Sequence, residues 1–252
     1  MAPAAVATSP VFSFGFDQPT PAKINLFKSS KSPKLHSNSR FLQPTLPVHR
    51  KQVPKPEYHS HVAVIGCGFV GEHLIETFGD YYQVTGYDIS ETRVASLRRE
   101  FANNKMDNIT ATSDERVLAH ADAYLISVPT LLKSDNTIDT SYIESALATV
   151  EKYARPGNVI VMESSVGVGM TRQLLSPFQA RGIFCGMSPE RVDPGRVLPA
   201  LKDIPKVVSG LDVGSLEKIK SLYCEVFRQL VPVASPEAAE MTKLYESKLT
   251  PG

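Results

Sequence analysis

The feature that most constrains this chain is a glycine-rich turn between a short apolar run and a helix-like pattern. Residues 61–65 read His-Val-Ala-Val-Ile, which is typical of a strand buried on both faces. Gly66, Gly68 and Gly71 follow directly in a G-x-G-x-x-G arrangement. The first glycine permits a tight turn, the second lets the backbone approach a diphosphate, and the third lets a helix pack on the strand. This order predicts a dinucleotide-binding turn in which a helix N-terminus donates amides to the phosphates.

An acidic residue stands where the ribose of such a dinucleotide would lie. Asp88 follows the apolar run 83–87 and is 22 residues beyond Gly66. A carboxylate there accepts both ribose hydroxyls and repels a 2′-phosphate, which favours NAD over NADP. Arg93, one helical turn further on, is placed to reach the ribose or the adenine edge, so NADP is not excluded as the cofactor. The alternative is a glycine-rich turn in some other α/β protein.

Apolar runs and helix-length segments alternate along the rest of the chain. Further strands are predicted at 83–87, 123–128, 158–162, 183–185 and 206–209, and helices at 90–102, 140–154 and 170–181. Strand alternating with helix predicts an α/β fold, a Rossmann-like doubly wound parallel sheet with helices on both faces. We assign 57–232 to an NAD-binding domain. Residues 233–252, which open with Ser-Pro-Glu at 235–237, are predicted to begin a central helical domain.

The first 56 residues have a different composition from the rest of the chain. They hold eight Lys and Arg against one acid, Asp17, with nine of the 19 prolines and seven serines. They show no helical or strand periodicity, so this basic, Pro/Ser-rich segment is predicted to be disordered. An organelle transit peptide is the alternative, but such peptides are Arg-rich, whereas here Lys outnumbers Arg and proline recurs.

The composition excludes several classes of protein. A net charge of +1 offers no general field for nucleic acid, and no apolar run is long enough to span a bilayer, so neither nucleic acid nor membrane is expected as a partner. Three cysteines without a C-x-x-C pair argue against a disulfide scaffold or a structural metal site. They favour a reducing compartment, and we expect a cytoplasmic protein.

Polar segments follow three of the predicted strands, at the sheet edge where open α/β folds bind ligands. Thr130 ends a Ser-Val-Pro-Thr segment and is expected to face the cofactor, while Ser165 is placed to hold a water or a ribose hydroxyl. Glu190 follows a proline and is placed as a general base, with Arg191 and Arg196 available to a phosphate or a sugar. Each segment also has a purely structural alternative. The proline before Thr130 could simply end a strand, Ser165 could cap a helix, and the segment around Glu190 could be a solvated loop.

In order and spacing, these segments resemble the UDP-glucose/GDP-mannose dehydrogenase family, and within it the branch that oxidises UDP-N-acetylmannosamine-type sugars. The resemblance runs from about His61 to Tyr245. Its motifs are V-A-V-I-G-C-G-F-V-G, G-Y-D-I-S-E-T-R-V, S-V-P-T, E-S-S-V-x-x-G-x-T-R, S-P-E-R-V-D-P-G-R and A-E-M-T-K-L-Y-E. Together they are specific, whereas any one alone is weak.

The resemblance implies an enzyme that oxidises the C6 hydroxyl of a UDP-sugar to a carboxylate in two hydride transfers to NAD, with a cysteine that captures the aldehyde. Glu190 would be the base or water-activating carboxylate, and Arg191 and Val192 would line the sugar site. Lys243 would contact the sugar and stabilise the developing alkoxide. The residues implied to contact NAD are Phe69, Val70, Asp88, Arg93, Thr130 and Ser165.

The chain departs from the family pattern in three ways. Ser165 stands where the family usually has Thr, and because the hydroxyl is retained we include Ser165 among the expected catalytic residues. Ser247, on the same helical face as Lys243 and Glu240, replaces an Asn whose amide would help to hold an oxyanion or water. In the family, a G-x-C-x-P segment with the nucleophilic cysteine lies downstream of this helix, and the 252 residues end before reaching it. We therefore expect this chain to be the N-terminal portion of such an enzyme, incomplete or inactive by itself. A homodimer is expected only if the central helix is complete.

Two other functions remain open at this stage. A β-hydroxyacid dehydrogenase of the 6-phosphogluconate type shares the dinucleotide fold and a catalytic lysine, although the Pro-Glu-Arg segment at 189–191 speaks against it. A non-catalytic NAD-binding or regulatory homologue is the other alternative, favoured by the missing cysteine.

Overall fold

The computed structural model describes residues 60–104, 106–132, 138–190 and 203–249. The segment 1–56, for which the sequence predicts disorder, lies outside these ranges, as do the predicted sugar-site residues Arg191 and Val192. The side chain of Ser247 is likewise outside the described part. The predicted division into domains at 57–232 and 233–252 stays a prediction.

The strands form one large sheet and a small hairpin. They are β1 (His61–Ile65), β2 (Gln83–Tyr87), β3 (Ile109–Thr112), β4 (Ala123–Ile126), β5 (Leu131–Leu132), β6 (Ile138–Asp139), β7 (Val159–Met162), β8 (Phe184–Met187), β9 (Lys206–Gly210) and β10 (Leu230–Pro232). Strands β5 and β6 pair with each other, and the other eight form the large sheet. The predicted strands agree with the observed ones within one or two residues, but β3, β5, β6 and β10 were not predicted.

In the described part of the chain, six α-helices connect and cover the strands. They are α1 (Phe69–Gly79), α2 (Glu91–Asn103), α3 (Ser141–Glu151), α4 (Met170–Gln179), α5 (Val213–Tyr223) and α6 (Pro236–Leu249), and a 3₁₀ helix spans Glu115–His120. Ser90 caps α2 by accepting a hydrogen bond from the Arg93 amide. Helix α5 was not predicted.

The strand order of the large sheet is β10-β9-β8-β7-β4-β1-β2-β3. Neighbouring strands are parallel except for β8 and β9, so the sheet is mostly parallel, as the predicted doubly wound fold requires, and only the antiparallel pairing of β8 with β9 was not expected. Antiparallel neighbours do not need a helical crossover, and an apolar run in the sequence carries no information on strand direction. The rest of the sheet has the doubly wound, Rossmann-like arrangement that the sequence predicts.

Alternate residues of the buried strands pack into two separate cores. In β1, Val62 and Val64 join one core with α1, α2 and α5, whereas Ala63 and Ile65 join the other with α3 and α4. Successive side chains of a strand point to opposite faces, which explains why the strand reads as a continuous apolar run. The chain leaves β1 and β4 toward opposite faces of the sheet, so a crevice opens between the carboxyl ends of these adjacent strands.

Within the described ranges, no helix is both long and apolar enough to cross a membrane.

Candidate functional site

The glycine-rich turn at the end of β1 has the geometry that its three glycines predict. Gly66 has a φ of +90°, and a Cβ on it would lie 2.5 Å from the Ser127 carbonyl oxygen. A Cβ on Gly71 would overlap the carbonyl oxygen of Gly66. Gly68 is the N-cap of α1, and a Cβ there would have no atom within 4 Å. The first and third glycines are therefore required by packing, and open space lies over the second.

Asp88 and Arg93 both hold this turn in place. The two carboxylate oxygens of Asp88 accept hydrogen bonds from the amides of Cys67 and Ser90, each at 2.8 Å. The Arg93 Nε donates to the Cys67 carbonyl at 2.6 Å, and its guanidinium also pairs with Glu72. These bonds give both side chains a structural role. The predicted contact of Asp88 and Arg93 with the cofactor stays a prediction.

Two cavities flank the glycine turn and meet at Gly68, Val128 and Pro129. The first has a volume of about 240 Å³, and its lining combines Asp88 with apolar side chains such as Ile89 and Tyr142. The second has a volume of about 290 Å³. It brings together seven of the predicted residues, namely Gly68, Phe69, Val70, Thr130, Ser165, Glu190 and Lys243. A larger hollow beside β3, of about 630 Å³, shares no lining residue with either cavity.

A buried ionic cluster lies at the second cavity. The Lys206 ammonium donates to Glu163 Oε2 at 2.7 Å and to Glu190 Oε2 at 2.8 Å, and Tyr223 donates to the other oxygen of Glu163. The side chain of Lys206 is 3% exposed and that of Glu190 5% exposed. Glu163 and Glu190 both line the cavity, so a buried cation bridges two carboxylates at its wall.

Burial shifts the titration of this cluster. It raises the pKa of Glu163 to about 7, against the lowering effect of the Lys206 charge. Burial alone would lower the pKa of Lys206, but the two carboxylates raise it above its ordinary value. The pKa of Tyr223 lies well above its usual range because of burial and the adjacent Glu163 charge. Glu163 can therefore hold or release a proton near neutral pH.

The sequence predicted a role for Glu190 but not its pairing with Lys206 and Glu163, although two signals were present. Glu163 directly follows the apolar strand β7, and Lys206 opens the apolar strand β9. A charged residue at such a place is rarely buried unless it is paired. The pairing itself depends on the order of β7, β8 and β9 in the sheet, which the apolar runs do not specify.

Helix α6 carries Lys243 to the cavity and is docked by two acidic residues. Glu240, fully buried, accepts hydrogen bonds from the amides of Gly169 and Thr171 at 2.6 and 2.8 Å, at the N-terminus of α4. Glu237 pairs with Arg172 at 2.7 Å, and the hydrogen bond from that guanidinium lowers the pKa of Glu237 to about 2. The contact with α4 thus fixes the helix that presents Lys243.

None of the three cysteines of the chain lines either cavity. Cys67 and Cys185 are buried, and burial raises the pKa of each thiol to about 12. Cys224 is exposed at the end of α5. In the described part of the chain, no three His, Cys, Asp or Glu side chains are grouped so as to hold a metal ion.

Residues 60–229 match the NAD binding domain of the UDP-glucose/GDP-mannose dehydrogenase family. The chain belongs to this family. The resemblance, the Rossmann-like fold and NAD as the cofactor are thereby confirmed, and the match disfavours the β-hydroxyacid alternative. Members of the family are NAD-dependent oxidoreductases that act on nucleotide sugars.

Similar proteins include nucleotide-sugar dehydrogenases of bacteria and archaea. Protein CapL of Staphylococcus aureus is 34% identical over 74% of this chain and 48% of its own length. UDP-N-acetyl-D-mannosamine dehydrogenase of Methanococcus maripaludis is 28% identical over 74% of this chain and 47% of its own. The solved UDP-D-ManNAc dehydrogenase of Pyrococcus horikoshii superimposes with a TM-score of 0.68 at 24% identity, over 75% of this chain and 50% of its own, which shows the shared fold. The chain spans about half the length of the curated relatives it matches.

Proposed function

We propose that the chain binds NAD across the two cavities that meet at Gly68. The adenosine half would lie in the cavity of about 240 Å³, where Asp88 accepts hydrogen bonds from the ribose and Ile89 and Tyr142 offer apolar contact to the base. The diphosphate would lie over Gly68 at the N-terminus of α1, where the helix dipole and the open space suit an anion. The nicotinamide half would enter the second cavity, beside Thr130 and Ser165.

The reaction proposed for this site is oxidation of the C6 hydroxyl of a UDP-sugar to a carboxylate. The oxidation removes two hydrides in succession, each of which a bound NAD would accept, and a water would supply the second oxygen of the carboxylate. Glu190, held by Lys206, would accept the proton of the hydroxyl or of a water, and Lys243 would stabilise the negative charge that develops on oxygen. The observation that carries this proposal is that Glu190 and Lys243, 53 residues apart in the sequence, line the same cavity as Gly68.

The substrates of the similar proteins indicate a substrate class for this chain. Dehydrogenases of UDP-N-acetyl-D-mannosamine and UDP-N-acetyl-D-glucosamine are among them, so we infer a UDP-sugar of that type. Arg191 and Val192 as sugar contacts stay predictions, as do the role of Ser247, the homodimer and the cytoplasmic location.

A second candidate function is NAD binding without the complete oxidation. The observation that favours it is the position of the cysteines. Formation of a thiohemiacetal needs a thiolate at the reacting carbon, and the thiols of Cys67 and Cys185 are buried away from both cavities with a pKa of about 12. The chain by itself would then bind the cofactor, as a regulatory partner or as one part of a catalytic protein.

Replacement of Asp88 by Ala tests the placement of the dinucleotide. Loss of a charge-assisted hydrogen bond to the ribose is expected to cost about 1.5–3 kcal/mol, or tenfold or more in NADH affinity. Removal of the carboxylate also removes its repulsion of a 2′-phosphate, so the preference for NADH over NADPH should narrow. Fluorescence titration of wild type and variant with both nucleotides measures the two effects.

The comparison of NADH with NADPH also separates recognition from damage to the turn. Asp88 holds the Cys67 amide, so a purely structural effect would weaken both nucleotides equally. Asp212→Ala is the matched control, because Asp212 likewise accepts an amide hydrogen bond, from Ser215 at 2.6 Å, but lines neither cavity. Equal NADH affinity of wild type and Asp88→Ala, or a wild-type preference for NADPH, would contradict the proposal.

A further inference from the structure

The hydroxyl of Ser127 is buried beside the glycine turn without a hydrogen-bond partner in the described part of the chain. Ser127 directly follows β4 and is 7% exposed. Its neighbour Ser164 differs, because the Ser164 hydroxyl accepts from the Val128 amide at 3.0 Å and donates to the Val128 carbonyl at 2.8 Å. A buried hydroxyl without a partner costs about 1–3 kcal/mol, so a native protein seldom retains one without a use for it.

The surroundings of this hydroxyl indicate what could satisfy it. Ser127 lines the second cavity together with Gly68 and Val70. The Ser127 Oγ is 3.6 Å from the position that a Cβ would occupy on Gly71, in the first turn of α1. Among the described residues, no side chain caps this helix at Gly68, where the cavity is open. The hydroxyl therefore lies beside a helix N-terminus that has room for an anion and attracts one.

We propose that Ser127 is part of the diphosphate-binding site and donates its hydrogen bond to a phosphate oxygen of NAD, directly or through one buried water. The inference rests on the proposed NAD site and adds a side chain to a subsite otherwise made of backbone. A hydroxyl fits because it donates to an oxyanion without adding charge to a turn that already holds Asp88. The apo protein carries the unpaired hydroxyl, and binding of the dinucleotide satisfies it.

Ser127→Ala tests the proposal with ligands that differ in their phosphates. NADH and ADP-ribose contain the diphosphate and should bind about five- to tenfold more weakly to the variant. Adenosine lacks it and should bind with wild-type affinity. The variant without ligand should melt no lower than wild type, because the substitution removes an unsatisfied polar group. Calorimetric titration and thermal denaturation give these four values.

Ser209→Ala is the control for a purely structural effect. Ser209 is fully buried, donates to the Met187 carbonyl at 2.9 Å and lines neither cavity, so its loss should lower the melting temperature and leave NADH affinity unchanged. Wild-type affinity of Ser127→Ala for NADH and ADP-ribose, an equal loss for adenosine, or a melting temperature lowered as in Ser209→Ala would each overturn the inference. Those results leave the proposed NAD site standing. Failure of the wild-type chain to bind NADH would overturn both.

Discussion

Replacing Lys206 with Met is expected to destabilise the fold strongly and in a pH-dependent way. The side chain of Lys206 is 3% exposed, and its ammonium bridges Glu163 and Glu190 at 2.7 and 2.8 Å. Methionine preserves most of the side-chain volume but leaves two carboxylates buried without a cation. Breaking a buried pair in this way costs about 3–5 kcal/mol, which is a large part of the 5–15 kcal/mol that stabilises a typical domain. The melting temperature should fall by on the order of 10 °C.

The pH dependence follows from Glu163, whose folded-state pKa of about 7 lies above its ordinary value of 4.5. Because the folded state holds this proton more tightly than the unfolded state, the stabilisation is complete below about pH 4.5 and is lost as the pH rises through 7. Without Lys206, the ionised form of Glu163 is still less favourable. The variant should therefore lose least at pH 5, where Glu163 is protonated, and most at pH 8. Lys206 itself stays charged over this window, because its pKa is raised.

Urea denaturation of wild type and variant at pH 5 and pH 8 measures the two differences in the free energy of unfolding. Lys220→Met is the matched control, because Lys220 forms an exposed pair with Glu217 at 2.8 Å and such pairs contribute less than about 1 kcal/mol. A loss in Lys206→Met no larger than in the control, or an equal loss at both pH values, would refute the assignment of a buried ionic cluster.

Two further predictions concern the docking of α6 and the activity of the chain. Glu240→Ala removes the acceptor for two amides at the N-terminus of α4, so it should lower the free energy of unfolding, measured by urea denaturation, by about 2 kcal/mol. In the control Glu217→Ala, which changes an exposed residue, the free energy of unfolding should change by less than about 0.5 kcal/mol. Equal effects of the two substitutions would contradict the docking of α6 through Glu240. The 252-residue chain alone should bind NADH but form no uronate from UDP-glucose, UDP-N-acetylglucosamine or UDP-N-acetylmannosamine, because no thiolate lines the cavity. NADH production at saturating NAD measures this, and a rate that depends on Lys243 and Glu190 would show the expectation to be wrong.

The glycine turn and the alternation of strands and helices could be predicted from the sequence because both are local. A positive φ at Gly66 and the close approach of Gly71 to the Gly66 carbonyl involve residues within one turn of each other. A run of consecutive apolar residues likewise indicates a buried strand, as in 61–65. Strand β3, with four residues, was too short and polar to stand out.

What only the tertiary structure decided are the contacts between residues distant in the sequence. The partners of Lys206 lie 43 and 16 residues away, and they meet because β9 lies beside β8 and runs antiparallel to it. Arg93 bonds the Cys67 carbonyl and pairs with Glu72, and both contacts depend on the folding of α2 against the turn. Its contact with the cofactor stays a prediction. Apolar periodicity specifies which face of an element is buried, whereas the burial of a charge depends on which elements become neighbours. The sequence by itself therefore determined the glycine turn, and the order and direction of the strands decided which carboxylates line the cavity and which buried ammonium pairs with them.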